Sequence, residues 1–276
     1  MPDPAVFQID LNRIIRSKAP GRKIPQWLIN GLSYLICQDK LNDFLQYNGT
    51  DTGVKTMQKA VQYFNLDLQI EGWENIPQTG ETFIFASNHP LGGLDGICLS
   101  AILGEKFEGK IKYLVNDLLY FIQPLKPIFV PINKHGGQAK EGAQAIGNAF
   151  ASDNQIITFP AGLCSRKQKG KICDPEWKKM FIIKSIEYKR DIIPVFFTAR
   201  NSNFFYRLAK IRKNFKIKFN IEMLFLPREM FKAKNSKFTI RFGKPIPWQT
   251  FDSSKSPQGW AEEVKKIVYQ MDTHLK

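Results

Sequence analysis

At 276 residues, 43% of them hydrophobic, the chain fits one large domain with a sizeable core, and no stretch reaches the roughly eighteen uninterrupted apolar residues of a membrane span. Forty basic residues against 25 acidic give a formal charge of +15, which says nothing of fold but asks for an anionic partner: nucleic acid, an acidic carrier protein or anionic lipid. Cys37, Cys98, Cys164 and Cys173 lack any C-x-x-C or Cys/His ligand spacing, so no metal site is expected and the thiols read as reduced and cytosolic, with Cys164 the loop candidate for reactivity.

Met1-Pro-Asp-Pro opens with an acid and no apolar region follows, so no signal peptide is expected. Residues 1–25, polar and broken by Pro20, Gly21 and Pro25, read as a poorly structured arm. Trp27, Leu28, Leu32, Leu35, Leu41, Phe44 and Leu45 recur near helical spacing, with Gly31 and Asp39-Lys40 as the breaks of a helix-loop-helix. Val54 to Phe64 is a further helix. These helices either pack on the core or form an appendage resting in an interface. Leu66 to Trp73 alternates as a strand does.

Next come a strand at Phe83 to Ala86, a short buried helix at Ile97 to Leu103, a strand at Lys112 to Val115, a helix at Asp117 to Ile122 and a strand at Ile128 to Ile132. Gln138 to Ala151 shows one apolar face (Ala139, Ala143, Ile146, Phe150) and is a helix. Gln155 to Phe159 is a strand, Trp177 to Tyr188 a helix and Ile192 to Thr198 a long apolar strand. Phe215 to Phe225 and Phe238 to Phe242 are strand-like, and a last helix starts at an N-cap Ser256 followed by Pro257. Strands alternating with helices predict an α/β fold: a single domain with a central mixed, largely parallel sheet flanked by helices, its main body at 66–276 preceded by an N-terminal arm and helical appendage at 1–65.

The chemistry gathers at Phe83 to Gly96, FIFASNHPLGGLDG. The apolar run ends in Ser87-Asn88, then a histidine, a glycine-rich bend and an aspartate. Of the three histidines, His89, His135 and His274, only His89 stands at such a strand end with a carboxylate, Asp95, six residues on. Folded back, Asp95 would accept from one imidazole nitrogen and leave the other to take a proton from a hydroxyl. A surface pair or a structural histidine is the plainer alternative.

Asn88-His89-Pro90 followed by Asp95 resembles the first motif of the glycerolipid, or lysophosphatidate-type, acyltransferases, although five residues rather than four separate His from Asp. Phe159-Pro160-Ala161-Gly162-Leu163-Cys164-Ser165 is similar to that family's third motif, with Ala161 in place of its Glu and Cys164 in place of its Arg. Lys126 to Asn133 aligns with the second motif, whose terminal arginine corresponds to Asn133 beside Lys134, and Ile193-Pro194-Val195 resembles the fourth. The likeness runs from about Leu68 to Val195.

It implies acyl transfer from an acyl carrier protein or coenzyme A thioester, with no cofactor beyond that co-substrate. His89 and Asp95 are then catalytic, and Asn88, Asn133, Lys134, Phe159, Pro160, Gly162, Ser165 and Arg166 face substrate. A backbone N–H near Gly162 or Gly92-Gly93 receives the oxyanion. The family's phosphate-facing arginines are missing. That favours a divergent branch acylating the 3-hydroxyl of an N-acyl amino acid, as ornithine- and glycine-lipid O-acyltransferases do. Arg166 or Lys134 would then hold the acceptor's carboxylate. Lysophosphatidate acylation is the alternative, and a non-catalytic basic lipid- or nucleic-acid-binding module is the alternative of another class.

Residues 201–244 hold twelve Lys/Arg and two Glu, and Phe204 to Lys218 interleaves aromatics with six basic residues. With no nucleic-acid fold motif beside it, this stretch is either a solvated face or a surface for anionic lipid. In the second case Phe204, Phe205, Lys210, Arg212, Lys213 and Lys216 touch the cytoplasmic face of a membrane on which the protein lies peripherally.

Overall fold

An apolar run without alternation, such as Phe83 to Ala86, suits a strand covered on both sides. The computed structural model describes residues 7–18, 21, 24–78, 80–115, 122–132, 139–168, 170–217 and 219–272. In it this run becomes β2 (Ile84–Ser87), the middle of a seven-stranded sheet. The order is β1 (Asp67–Glu71), β9 (Lys237–Phe242), β8 (Ile192–Thr198), β2, β5 (Gln155–Thr158), β3 (Ile111–Val115) and β4 (Phe129–Pro131). Every neighbouring pair is parallel except β8 with β9, so the sheet is mixed and largely parallel, as expected.

Alternate side chains of a strand go to opposite faces. Phe83 and Phe85 enter the core that α4 (Val54–Tyr63) and α5 (Leu94–Lys106) cover, beside Met57, Ala60, Cys98 and Leu103. Ile84 and Ala86 enter the opposite core, against α6 (Ala139–Ala151), α7 (Met180–Tyr188) and α10 (Pro257–Gln270), beside Phe150, Phe181, Ile182 and Val264. Each buried phenylalanine contributes about 1.5–3 kcal/mol by leaving water. The strand from which the His89 loop departs is therefore held from both sides.

Several expectations need correction. The arm at 1–25 contains α1 (Leu11–Lys18), whose start Asp10 caps by accepting from the Arg13 N–H. It is tied to α3 (Gln38–Asn48) by a reciprocal pair between Asn42 and the Ile9 backbone. The break between α2 (Gln26–Leu35) and α3 falls at Cys37, at a φ of 54°, and not at Gly31. Helix α5 begins at Leu94 rather than Ile97, which takes Asp95 into its first turn. Helix α7 begins at Met180 rather than Trp177, which is fully buried and donates its backbone N–H to Glu262 and its indole to Asp174.

Phe215 to Phe225 is not a strand. Helix α8 (Asn203–Asn214) is followed by a turn and a 3-10 helix at Ile221–Phe225, then α9 (Leu226–Lys232). The alternation there puts Phe215 and Phe219 outward, 75% and 63% exposed, with no sheet edge to receive them. A small antiparallel hairpin, β6 (Arg166–Gln168) and β7 (Lys171–Cys173), was not expected from so polar a stretch. The helix expected at Asp117 to Ile122 falls mainly outside the described residues, as do Asn133, Lys134, His135 and His274.

Of the two readings of the N-terminal helices, α4 takes the first, packing on α5. Helix α2 leaves Trp27 and Tyr34 74% and 82% exposed. Among the described residues no helix is long and apolar enough to cross a membrane.

Candidate active site

Strands β2, β5 and β8 run parallel, so the loops that follow all three leave the same edge of the sheet. In an open α/β sheet that carboxyl edge is where ligands sit. The three loops bring together His89, the Phe159–Ser165 segment and Asn201.

Asn88, buried at the end of β2, is clamped to the neighbouring strand. Its amide donates to the Phe197 carbonyl at 3.0 Å and accepts from the Phe197 N–H at 2.7 Å. From that anchor the chain turns back on itself. Gly92 adopts a φ of +79°, and a Cβ there would meet Leu226 at 2.8 Å and Cys164 at 3.1 Å, so the bend needs glycine. The turn brings three donors onto one oxygen. Asp95 Oδ2 accepts from His89 Nδ1 at 2.9 Å, from the Leu91 N–H at 3.0 Å and from the Gly92 N–H at 3.2 Å. Its Oδ1 accepts the Gly96 N–H at 2.9 Å.

The carboxylate is fully buried in the first turn of α5, where the helix dipole favours a negative charge. Burial opposes that charge, but His89 and the amide donors outweigh it and leave Asp95 below the ordinary 3.8. Burial also opposes an imidazolium at His89. The Asp95 charge and hydrogen bond, helped by Asp174 and resisted by Arg166, overcome it, so His89 stands above the ordinary 6.5. An ionised acceptor at Nδ1 fixes the proton there and leaves Nε2 able to take one.

Phe159, buried, packs against the imidazole at a tilt of 35° with ring centroids 4.2 Å apart, and Tyr113 leans on Phe159 at 5.4 Å. Pro160 is buried and its carbonyl accepts the Lys178 N–H at 3.0 Å. The Lys178 ammonium lies 2.8 Å from the point a Cβ on Gly162 would occupy. Ser165 donates its N–H to the His89 carbonyl at 2.7 Å, which joins the two motif loops. Asn201 closes the third side by donating to the Pro90 carbonyl at 3.1 Å.

Some expected roles do not fit these positions. Gly162 donates its N–H to the Phe159 carbonyl at 2.9 Å and Gly92 donates to Asp95, so of the expected amides near Gly162 and Gly92-Gly93 these two already have acceptors within the chain. Arg166 donates to the Cys164 carbonyl at 2.6 Å and to Glu222 Oε1 at 2.9 Å, with its guanidinium 5.1 Å from the Phe205 ring centroid. It is committed within the chain rather than held out to a substrate carboxylate. Cys164 is fully buried and its thiol is pushed up to about 11 by that burial, which rules out an exposed reactive cysteine.

In the basic stretch, Phe205 is fully buried and cannot reach a lipid surface, while Phe204 is 45% exposed. Arg212 Nε sits 3.0 Å from the buried Glu222 Oε2, so it balances charge inside. Lys210, Lys213 and Lys216 are exposed.

One contributor was missed altogether. Asp174, just after β7, is buried and accepts from the His89 N–H, the Ser165 hydroxyl and the Trp177 indole. In sequence Cys173-Asp174-Pro175 reads only as a turn.

A protein-family model described as Acyltransferase matches residues 13–276. The chain is 50% identical over 273 residues to a lyso-glycine lipid O-acyltransferase of Bacteroides thetaiotaomicron, covering 98% of this chain and all of that one. It is 47% identical to a lyso-glycine lipid O-acyltransferase of Phocaeicola vulgatus, covering 98% of each. Among solved structures it resembles the 1-acyl-sn-glycerophosphate acyltransferase PlsC of Thermotoga maritima, with a TM-score of 0.50 and 20% identity over 80% of each chain, a likeness of fold. Matched by the family model from residue 13 to 276 and by two relatives almost from end to end, the chain belongs to the acyltransferase family.

Proposed function

We propose that this acyltransferase moves a fatty acyl group from a thioester, on acyl carrier protein or coenzyme A, to the hydroxyl of a lyso-glycine lipid. His89 Nε2 takes the proton as the acceptor oxygen attacks the thioester carbonyl. The C–O bond forms and the carbonyl oxygen takes up the negative charge. As the intermediate collapses the C–S bond breaks, and the imidazolium returns its proton to the departing thiolate. Asp95 keeps the ring oriented and its charged form favourable. The acceptor is itself the nucleophile, so no covalent enzyme intermediate forms.

The observation that carries the choice of acceptor is the end-to-end similarity to two proteins of that name. The charge balance at the site supports it. Ala161, where the resembled family carries Glu, is buried in an apolar cluster, and Cys164, where it carries Arg, is buried with its thiol 2.9 Å from the Arg166 guanidinium. Arg166, the nearby guanidinium, is spent on Glu222. A phosphate dianion is best held by a bidentate fork, whereas one carboxylate is adequately met by a single point charge. In a competition assay with both acceptors at equal concentration, purified enzyme acylates N-(3-hydroxyacyl)glycine faster than lysophosphatidate. Preferential formation of phosphatidate would overturn this reading.

The protein meets its lipid from the surface. Lys210, Lys213 and Lys216 with Phe204, Phe215 and Phe219 make an exposed basic and aromatic face suited to an anionic leaflet.

A further inference from the structure

We propose that Asp174 is a positioning residue for the reaction: its buried carboxylate fixes the backbone of the base and sets a second negative charge beside it. This rests on reading His89 as the base. Asp95 acts on the imidazole from its Nδ1 side. Asp174 acts from the backbone side, through a different loop, and the two carboxylates are 79 residues apart in the chain, as their numbers give.

The geometry is that of a built receptor for one charge. Both Asp174 oxygens lie 3.2 Å from the His89 nitrogen and accept its N–H. Oδ1 also accepts the Ser165 hydroxyl at 2.6 Å, and Oδ2 the Trp177 Nε1–H at 2.9 Å. Asp174 is 1% exposed. Its own N–H donates to the Tyr269 hydroxyl of α10 at 2.7 Å, so the residue is anchored from a fourth direction. The His89 N–H and the indole can only donate and the Ser165 hydroxyl donates here, a set that an ionised carboxylate satisfies in full.

A buried charge with that much support affects its neighbour. The groups facing His89 are Asp95 from α5, Asp174, and Arg166 from β6; the two carboxylates favour the imidazolium and the arginine opposes it. Around Asp174 itself stand Ser165, Trp177, the Tyr269 hydroxyl, and the thiols of Cys164 and Cys173. Lys265 of α10 donates to the next carbonyl, Pro175, at 2.9 Å. Burial raises Asp174 above the ordinary 3.8, against the pull of those donors and of His89. A proton on His89 is thus favoured by two carboxylates reaching it through separate segments, and the base is stronger than Asp95 alone would make it.

The test separates a staple from a charge. The His89 imidazole is titrated by proton NMR, its resonance assigned by its absence in His89→Ala, and the pH dependence of kcat/KM is measured alongside. In Asp174→Asn the His89 midpoint and the acid limb of the profile shift down together by about half a pH unit or more. In Trp177→Phe, which deletes one bond to the same carboxylate and keeps its charge, both stay in place while the melting temperature falls. Where the Asn amide sets its N–H2 on the Trp177 side, donor faces donor. Should Asp174→Asn fail to fold, the double variant Asp174→Asn/Trp177→Phe relieves that clash and is read against Trp177→Phe. An unshifted midpoint in the folded Asn variant, with activity lost only in proportion to stability, overturns the proposal. A wild-type profile with no acid limb overturns it too, and with it the reading of His89 as the base.

Discussion

The loop after β2 and the surface around α8 are both rich in polar groups, and they use them in opposite ways. In the loop the polar groups are turned inward: Asn88 onto β8, Asp95 onto four donors, and the His89 N–H onto Asp174, which follows β7. Around α8 the lysines point away and Phe204, Phe215 and Phe219 stand exposed with them. Convergence fixes one geometry and can tune one proton. Divergence fixes nothing within the chain and leaves its effect to an outside surface. The exceptions sharpen the contrast, since Arg212 and Phe205 belong to α8 by sequence and to the interior by position.

The strongest test of this contrast is His89→Ala. Losing the base lowers acyl transfer by about 10³-fold or more with the fold retained by circular dichroism. Turnover near that of the parent would mean that the convergent loop is only structural.

Asp95→Asn comes next, with a loss of about 10²–10⁴-fold. It also changes the pH profile. The base must be neutral to act, so activity falls as pH drops through the His89 midpoint. Because His89 is raised, that acid limb in the parent lies above 6.5. Without the Asp95 charge burial is less opposed, and the limb moves to lower pH. A limb that stays in place in the Asn variant would detach Asp95 from the titration.

On the other surface the effects are smaller. Replacing Lys210, Lys213 and Lys216 with glutamine weakens binding to anionic vesicles by about 1 kcal/mol for each lysine that sits at the leaflet, and added salt erases the difference. Arg212 is left alone because removing it would strip a partner from buried Glu222. Vesicle sedimentation unchanged at low salt would reduce the lysines to a solvated face. The mildest change is Phe204→Ala, which weakens vesicle binding by about 1 kcal/mol and leaves thermal stability close to the parent's, since the ring is half out of the protein. A large drop in melting temperature would place Phe204 with Phe205 in the interior.

How legible each region was follows from the same contrast. Strand β2 and the His89–Asp95 pair could be read because a run buried on both faces is apolar throughout and because the two partners are six residues apart. The central sheet followed from strands and helices in alternation. Asp174 was not legible: its partners come from positions 89, 165, 177 and 269, and nothing local marks a carboxylate as buried. Arg166 read as a free cation for the same reason, because Glu222 is 56 residues away. The 215–225 segment misled in the other direction. Its alternating pattern is real, but a strand needs a neighbour, and this one borders a helix.

The clamp between Asn88 and Phe197 has a consequence for when the enzyme can exist at all. That clamp spans 109 residues, the His89–Asp174 bond 85, and the Asn201–Pro90 bond 111. The acid–base pair itself is local, yet the strand and loop that hold it are completed only by segments synthesised far later. Long-range closure of this kind is slow and comes late in assembly. A nascent chain that has released His89 and Asp95 therefore has the right residues without a working base, and acyl transfer begins only when β8 has joined β2. Recovery of activity on refolding should accordingly track the last step of sheet assembly and lag behind the appearance of helix.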